Sequence, residues 1–333
     1  MVKPTFADYV KLLYTLFDEF MQQHSAAPHC GHPFLYQHQV LIVFFVIMQL
    51  KRVFQFKTQW RWLDTHPVER KVIGLELMPV RTTLSRRYKA LYTVVQEFIV
   101  FLAQYSADLG AVFSRDHLYE DKSLFKAQGP VWHQSDREAG RIPEKLRHLD
   151  TDATWSKSAY HGWVYGYGLH FTCNQYGFPE LVQVETASVS ESQGLDDKET
   201  QILEHLRPNT LTADNSYVQA TRIREWAKQG VALLTPAVKW IKGRYAEAYH
   251  RFIAEPENFE RLVQRRTAIE PLFDLIAKVV GTTDNHKQLP VQHLSNVRTC
   301  LSVAVLTIQI AMIANNIWGL PAHDISHMMA VFT

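Results

Sequence analysis

The chain has 333 residues, of which 47% are apolar and 20% are charged, so it has a globular composition and enough length to bury a substantial core. Its formal net charge of +2 excludes neither nucleic acid nor any other partner. The three cysteines are far apart and form no CxxC pair, and the N-terminus lacks the apolar core of a signal peptide, so a reduced, cytoplasmic protein is expected.

The first 110 residues have the periodicity of helices. Apolar side chains recur at intervals of three and four, beginning with Phe6, Val10, Leu13 and Phe17. A polar insert then separates the first two predicted helices, and it contains four potential metal ligands: His24, His29, Cys30 and His32. Their spacing matches no standard zinc site, so a histidine-rich loop is favoured over a metal centre.

A basic segment lies within this helical region. Between Lys57 and Lys89 there are eight basic residues and three acidic ones. Pro79 ends one predicted element, and Thr82 or Thr83 could cap the next helix. This puts three bases on its first turns, Arg86, Arg87 and Lys89, and a fourth, Arg81, just before it. A short helix-break-helix with a basic second helix suits contact with DNA phosphates, although a solvated basic helix has the same pattern.

Beyond residue 110 the periodicity becomes that of strands mixed with helices. His117–Phe125 and Gly162–Phe171 are predicted strands, and the polar stretch 126–160 between them is predicted to be a long loop. Leu181–Thr186 completes a hairpin. The pattern then predicts, in order, a helix near residues 197–206, a strand before Asp214, a helix over 218–229 and a strand over 231–235. The sequence therefore predicts an α+β (mixed α/β) fold with a mixed sheet, not a doubly wound parallel one.

One later segment, Leu301–Trp318, approaches the length of a membrane span. It contains three amide side chains, Gln309, Asn315 and Asn316. A buried helix is therefore favoured over a transmembrane one.

Three acids are candidate ligands for a divalent metal. Asp121 and Asp214 lie at predicted strand ends, and Glu270 lies on a predicted helix one turn after an arginine. Mg²⁺ prefers oxygen ligands, and metal-assisted phosphodiester chemistry needs two or three carboxylates from separate elements. An exposed ladder of charges at i,i+4 would look the same around Glu270. Asp152 remains an alternative first acid, and Asp274 an alternative third.

Six short motifs occur in order along the chain. They are Asp121-Lys122-Ser123-Leu124-Phe125-Lys126-Ala127, Val131-Trp132-His133, Asp150-Thr151-Asp152-Ala153-Thr154-Trp155, Gly162-Trp163-Val164-Tyr165-Gly166-Tyr167-Gly168-Leu169-His170, Thr212-Ala213-Asp214-Asn215-Ser216-Tyr217 and Arg266-Thr267-Ala268-Ile269-Glu270-Pro271-Leu272-Phe273. Together they resemble the DDE transposases of bacterial insertion sequences, over about residues 115–320.

The resemblance implies a ribonuclease H-like catalytic domain with a mixed five-stranded sheet over residues 111–333, after a helical DNA-binding region over residues 1–110. It also implies that Asp121, Asp214 and Glu270 carry two Mg²⁺ ions, for which Mn²⁺ is a possible substitute. The implied reaction is cleavage of DNA strands at the ends of the element, followed by their transfer to a target.

The same resemblance indicates the partners. Three bases near the third acid, Arg265, Arg266 and Lys278, would contact DNA, together with the bases of the N-terminal region. The implied partners are double-stranded DNA, as terminal inverted repeats and as target, and further copies of the chain on the paired ends. No membrane is implied, and the expected location is the bacterial cytoplasm, at the nucleoid.

The helix around Glu270 departs from the usual family signature. Val263 and Ala277 stand where many members have a tyrosine and a lysine. Pro271 predicts that the helix either starts near Glu270 or bends there. This altered signature keeps open the alternative of a transposase-derived DNA-binding protein without catalysis. A host metal-dependent nuclease of the same fold is a further alternative.

Overall fold

The structure is a computed structural model and describes residues 3–24, 35–158, 162–236, 243–283 and 286–332. The chain divides into two compact units, each assembled from separate stretches. The first comprises Met1–Leu102, Ala127–Asp152 and Leu275–Thr333, and the second comprises Ala103–Lys126 and Ala153–Asp274. The histidine-rich insert, apart from His24, lies outside the described residues.

The helices and strands follow one another in this order: α1 (Phe6–Gln23), α2 (His38–Leu50), α3 (Phe56–Thr65), α4 (Pro67–Val72), α5 (Arg81–Ala90), α6 (Tyr92–Ser106), β1 (His117–Lys126), α7 (Gln134–Glu138), β2 (Thr154–Ser158), β3 (Gly162–Asn174), β4 (Pro179–Thr186), α8 (Glu191–Asp196), β5 (Thr210–Thr212), α9 (Ala220–Lys228), β6 (Ala232–Leu234), α10 (Arg244–Ala254), α11 (Pro256–Val280), α12 (Leu294–Trp318) and α13 (Ser326–Phe332). The helical character predicted for the N-terminal region is confirmed in its described residues.

Helix α12 is the buried centre of the first unit. By length and composition it could cross a membrane, but 94% of its most apolar window is buried inside the protein, as in the core helix of a globular domain. Its polar side chains bond within the unit. Thr299 donates to the Tyr88 carbonyl at 3.0 Å, and Gln309 donates to the Ile99 carbonyl at 3.1 Å. The buried helix predicted over Leu301–Trp318 is therefore confirmed.

The second unit is built on a mixed sheet with the strand order β2-β3-β1-β5-β6, and β4 also pairs with β3. Strand β3 is antiparallel to β1, β2 and β4, whereas β5 is parallel to β1 and to β6. The predicted hairpin, β3 with β4, and the predicted α+β fold with a mixed sheet are confirmed. Within the described residues the sheet has six strands and not five, because Thr154–Ser158 pairs with Gly162–Gly166 and does not lie in a loop.

Three predictions about helices need correction. The stretch 126–160 contains the short helix α7 as well as β2. The helix expected near residues 197–206 is present over residues 199–206, but as a π-helix over Gln201–Leu206, and the separate short helix α8 precedes it. Helix α11 begins at Pro256 and not near Glu270, and it continues through Pro271. Tertiary packing of its apolar face compensates for the hydrogen bond that a proline inside a helix removes.

Candidate active site

Asp121 and Asp214 lie side by side where β5 ends. The parallel pairing of β1 with β5 aligns Tyr119 with Thr212. Each aspartate follows this aligned pair by two residues, and neighbouring strands lie about 4.8 Å apart. The sequence suggested that Asp121 lies at the end of a strand. It lies inside β1 instead, just past the last residue of β1 that pairs with β5. The predicted meeting of these two acids is thus explained by the register of the two strands.

The environment of Asp121 disfavours an isolated negative charge. Burial raises the pKa of Asp121, and the charge of Asp214 raises it further. Two contacts lower it again: Arg265 Nη1 lies 2.7 Å from Oδ2, and the Lys122 amide donates to Oδ1 at 2.8 Å. Although the carboxylate lies deep in the unit, the side chain keeps 21% of its surface exposed. Asp121 is therefore a largely buried carboxylate next to a second carboxylate, and part of its side chain remains accessible to solvent.

Asp214 also has a local structural role. It precedes the 3₁₀ turn Asn215–Tyr217, and its Oδ1 accepts a hydrogen bond of 2.8 Å from the Ser216 amide. An aspartate at a cap is common without any catalytic purpose. Here the cap fixes the carboxylate beside Asp121, so that the structural role and a ligand role are compatible.

Helix α11 lies against the face of the sheet that carries Asp121. Arg265 forms the ion pair with Asp121, and eight residues later Phe273 packs on Phe171 with ring centroids 5.9 Å apart. Phe171 is the cross-strand partner of Asp121 in β3. Glu270 therefore lies on the segment of α11 between two contacts with the immediate surroundings of Asp121.

The side chain of Glu270 has a different orientation from the two aspartates. Its described ion pair is with Arg266 on the same helix, at 3.8 Å, and the two side chains are 62% and 75% exposed. Asp274, the alternative third acid, is also exposed on this helix. The structure thus brings Asp121 and Asp214 together and places Glu270 on the adjoining helix, directed towards solvent.

The predicted DNA-contacting bases separate into two groups. Two are buried, Arg87 at 6% and Arg265 at 8% exposure, and Arg265 is already bound to Asp121. Burial does not fit a direct contact with DNA. The others are exposed: Arg81, Arg86, Lys89, Arg266 and Lys278.

The opposite face of β1 carries a buried network that the sequence analysis did not identify. Lys198 Nζ lies 2.5 Å from Glu120 Oε1, and Thr172 donates to Glu120 Oε2 at 2.5 Å. Glu120 is fully buried and Lys198 is 2% exposed. Successive side chains of a strand point to opposite faces of the sheet, so the sequence could have indicated that Glu120 lies on the face opposite Asp121. The partner Lys198 had no signal in the sequence.

The alternative first acid, Asp152, lies in a second group of ligands, in the first unit. Ligand atoms of Asp150, Asp152 and His293 lie within 4.8 Å of one another. The two carboxylates accept hydrogen bonds of 3.0 Å from the amides of His293 and Leu294 at the start of α12. Capping the positive end of this long helix accounts for both acids.

The geometry can be compared with known proteins. A model of the family described as "Transposase DDE domain" matches residues 116–290, more than half of the chain, and the match includes Asp121, Asp214 and Glu270. No curated protein sequence matches the chain. A solved structure titled "Crystal structure of a pre-cleavage Mos1 transpososome" aligns over 90% of this chain and 85% of that chain, with 11% identity and a TM-score of 0.19, too low to bear on the fold. On the strength of the family match, the chain belongs to the transposase DDE domain family.

Proposed function

We propose that the chain is a transposase that cuts DNA strands at the ends of its own insertion sequence and transfers them to target DNA, with Asp121, Asp214 and Glu270 as its catalytic acids. One observation carries this proposal. Two carboxylates lie just past the paired residues of neighbouring parallel strands, Asp121 is largely buried beside the charge of Asp214, and each carboxylate accepts a backbone hydrogen bond. Fixed oxygen ligands of this kind suit a hard divalent cation.

The donor set fits Mg²⁺ or Mn²⁺. Asp121 and Asp214 are oxygen donors. Burial raises the pKa of Asp121, and the charge of Asp214 adds a smaller effect in the same direction, so a divalent cation bound by both would relieve an existing electrostatic cost. When bound, such ions activate the attacking oxygen and stabilise the leaving oxygen at phosphorus. The two aspartates would hold the ions, and the charge of Arg265 lowers the pKa of Asp121 against the larger, opposing effect of burial.

Glu270 would complete the set by a change of side-chain direction. Its contact with Arg266 is a long, exposed pair on one helix, and such pairs contribute only about 0.3–0.5 kcal/mol. Turning Glu270 towards the aspartates therefore costs little. The same turn would release the exposed guanidinium of Arg266 for a DNA phosphate.

The test measures binding and cleavage of DNA that carries the ends of the element by two sets of acid-to-amide variants, one at the proposed catalytic acids and one at the alternative acids. Asp121→Asn, Asp214→Asn and Glu270→Gln should retain DNA binding and lose cleavage in Mg²⁺ and in Mn²⁺. Asp152→Asn and Asp274→Asn, the two alternative acids, should cut at the wild-type rate. The assignment is wrong if Asp214→Asn still cuts at that rate, or if the alternative acids prove to be the essential ones.

A second function has one observation in its favour. The ion pair between Arg265 and Asp121 would also be expected of a DNA-binding protein that descends from a transposase and no longer holds metal. Binding to the element's ends without nicking in either metal would support that function. A host nuclease of the same fold would instead give free cut ends and no strand-transfer product.

The wider setting of the reaction follows from the same proposal. The N-terminal residues 1–110 would recognise the terminal inverted repeats, and residues 111–333 would carry the chemistry. The chain would act as an oligomer on paired ends, at the bacterial nucleoid. Size measurement of the complex with DNA ends, at low and at high protein concentration, tests the oligomer directly.

A further inference from the structure

The first unit contains a surface pocket of about 360 Å³ between α3 and the start of α5. This volume is at the lower end of the roughly 300–1,000 Å³ typical of small-molecule sites. The residues that line it are Lys57, Trp60, Arg61, Val80 and Arg81. The pocket therefore combines three cationic side chains with two apolar ones, and contains no acid.

The three cations lie together without a described counter-ion. Lys57 and Arg61 are one turn apart on α3, a spacing at which like charges destabilise a helix. Arg81 adds a third positive charge as the first residue of α5. Within the described residues none of the three forms an ion pair. A bound anion would offset this accumulation of positive charge.

The N-terminus of α5 adds to the positive electrostatic potential of the pocket. Its N-cap residue, Val80, has no side chain that can accept a hydrogen bond from the first backbone amides of the helix. These amides give the end of the helix a partial positive charge. An anion in the pocket would therefore meet helix amides as well as the three side chains.

The apolar part of the pocket narrows the kind of anion. Trp60 lies between Lys57 and Arg61 on the same face of α3, with 37% of its surface exposed, and Val80 is 62% exposed. Inorganic phosphate gains nothing from these surfaces, whereas a nucleobase stacks on an indole. A base inside a duplex is already covered on both faces, so only an unstacked base can use Trp60.

We propose that this pocket binds one unstacked nucleotide of a DNA strand, with the base on Trp60 and the adjoining phosphate on Lys57, Arg61 and Arg81. The inference rests on the proposed function in one respect, that DNA is the partner of this chain. It adds that the N-terminal region recognises unpaired DNA, for example beside a frayed or cut end, as well as the duplex.

The test measures binding of the full chain, with chelator present so that no strand is cut, to a blunt fluorescent duplex and to the same duplex with a short thymidine extension. The wild type should prefer the extended duplex. Trp60→Ala should reduce affinity for the extended duplex about tenfold, since stacking of one base contributes roughly 5- to 150-fold. Trp60→Phe should keep most of the preference, which separates the loss of stacking from a loss of folding.

Charge is tested separately. Combined replacement of Lys57, Arg61 and Arg81 by Gln should weaken binding to the extended duplex and flatten its dependence on salt. Lys11→Gln, at an exposed position of α1, is the matched control and should bind as the wild type does. Equal wild-type affinity for the two duplexes, or an unchanged preference in Trp60→Ala, overturns the inference even if the wild type cleaves DNA. A wild type that binds neither duplex and cuts no DNA contradicts the proposed function itself.

Discussion

The pKa of His170, a buried side chain on β3, can be tested quantitatively through the pH dependence of stability. Its side chain is fully buried on β3, and neither ring nitrogen has a hydrogen-bond partner among the described residues. Burial lowers the pKa of His170 to about 3, and the nearby charges of Lys198 and Lys122 contribute to this shift. The folded protein therefore keeps this imidazole neutral at pH values where an ordinary histidine is charged.

The sign and size of the effect follow from linkage. The unfolded chain binds a proton at His170 below pH 6.5, whereas the folded chain does so only near pH 3. Acidification therefore favours the unfolded chain. Between pH 7.5 and pH 5 the contribution of this one side chain to the free energy of unfolding falls by about 2 kcal/mol. The loss continues until the pH reaches the folded pKa.

The assay is urea unfolding of the wild type and of His170→Leu at both pH values. Other groups titrate over the same range, so the informative quantity is the difference between the two proteins. The variant should lose about 2 kcal/mol less than the wild type on acidification. His205→Leu, which removes an exposed histidine of the same unit, is the matched control. Equal losses for the wild type and His170→Leu would refute the proposed shift.

Two further variants probe the same face of the sheet. Lys198→Met leaves the buried carboxylate of Glu120 without its counter-ion and should reduce the free energy of unfolding, measured by urea titration, by about 3–5 kcal/mol. Adding Glu120→Gln should restore part of this loss. An unchanged unfolding midpoint in Lys198→Met would show that the pair does not stabilise the fold. Gly194→Ala places a methyl group against the His170 ring and should cost about 1–3 kcal/mol by the same measurement; wild-type stability would show that the ring can move aside.

The meeting of Asp121 and Asp214 could be anticipated from the sequence because it depends on local patterns. Asp121 lies within the predicted strand His117–Phe125 and Asp214 follows a second predicted strand, and the sheet places β1 beside β5. The pairing of Tyr119 with Thr212 then places the two acids, each two residues further along its chain segment, next to each other. The sequence could not show how buried Asp121 is, because that depends on the packing of a helix more than a hundred residues away.

Other features had no local signal. Strand β2 was missed because Thr154–Ser158 is short and follows a long polar stretch, and its pairing with β3 is a tertiary contact. Of the two alternatives that Pro271 left open, a helix starting near Glu270 is wrong, because α11 begins at Pro256 and packing of its apolar face carries the helix through the proline. Arg265 was assigned to DNA because its charge was visible in the sequence, whereas its burial against Asp121 was not.

The guanidinium of Arg265 has a consequence for which ions can occupy the candidate site. Because Asp121 already has a monovalent positive partner at 2.7 Å, an incoming sodium or potassium ion would replace one unit of charge with another and gain little. A divalent ion brings twice the charge to two neighbouring carboxylates and can displace the arginine. We therefore expect the protein to fold without added metal and to discriminate between ions by valence, with its own side chain as the competitor.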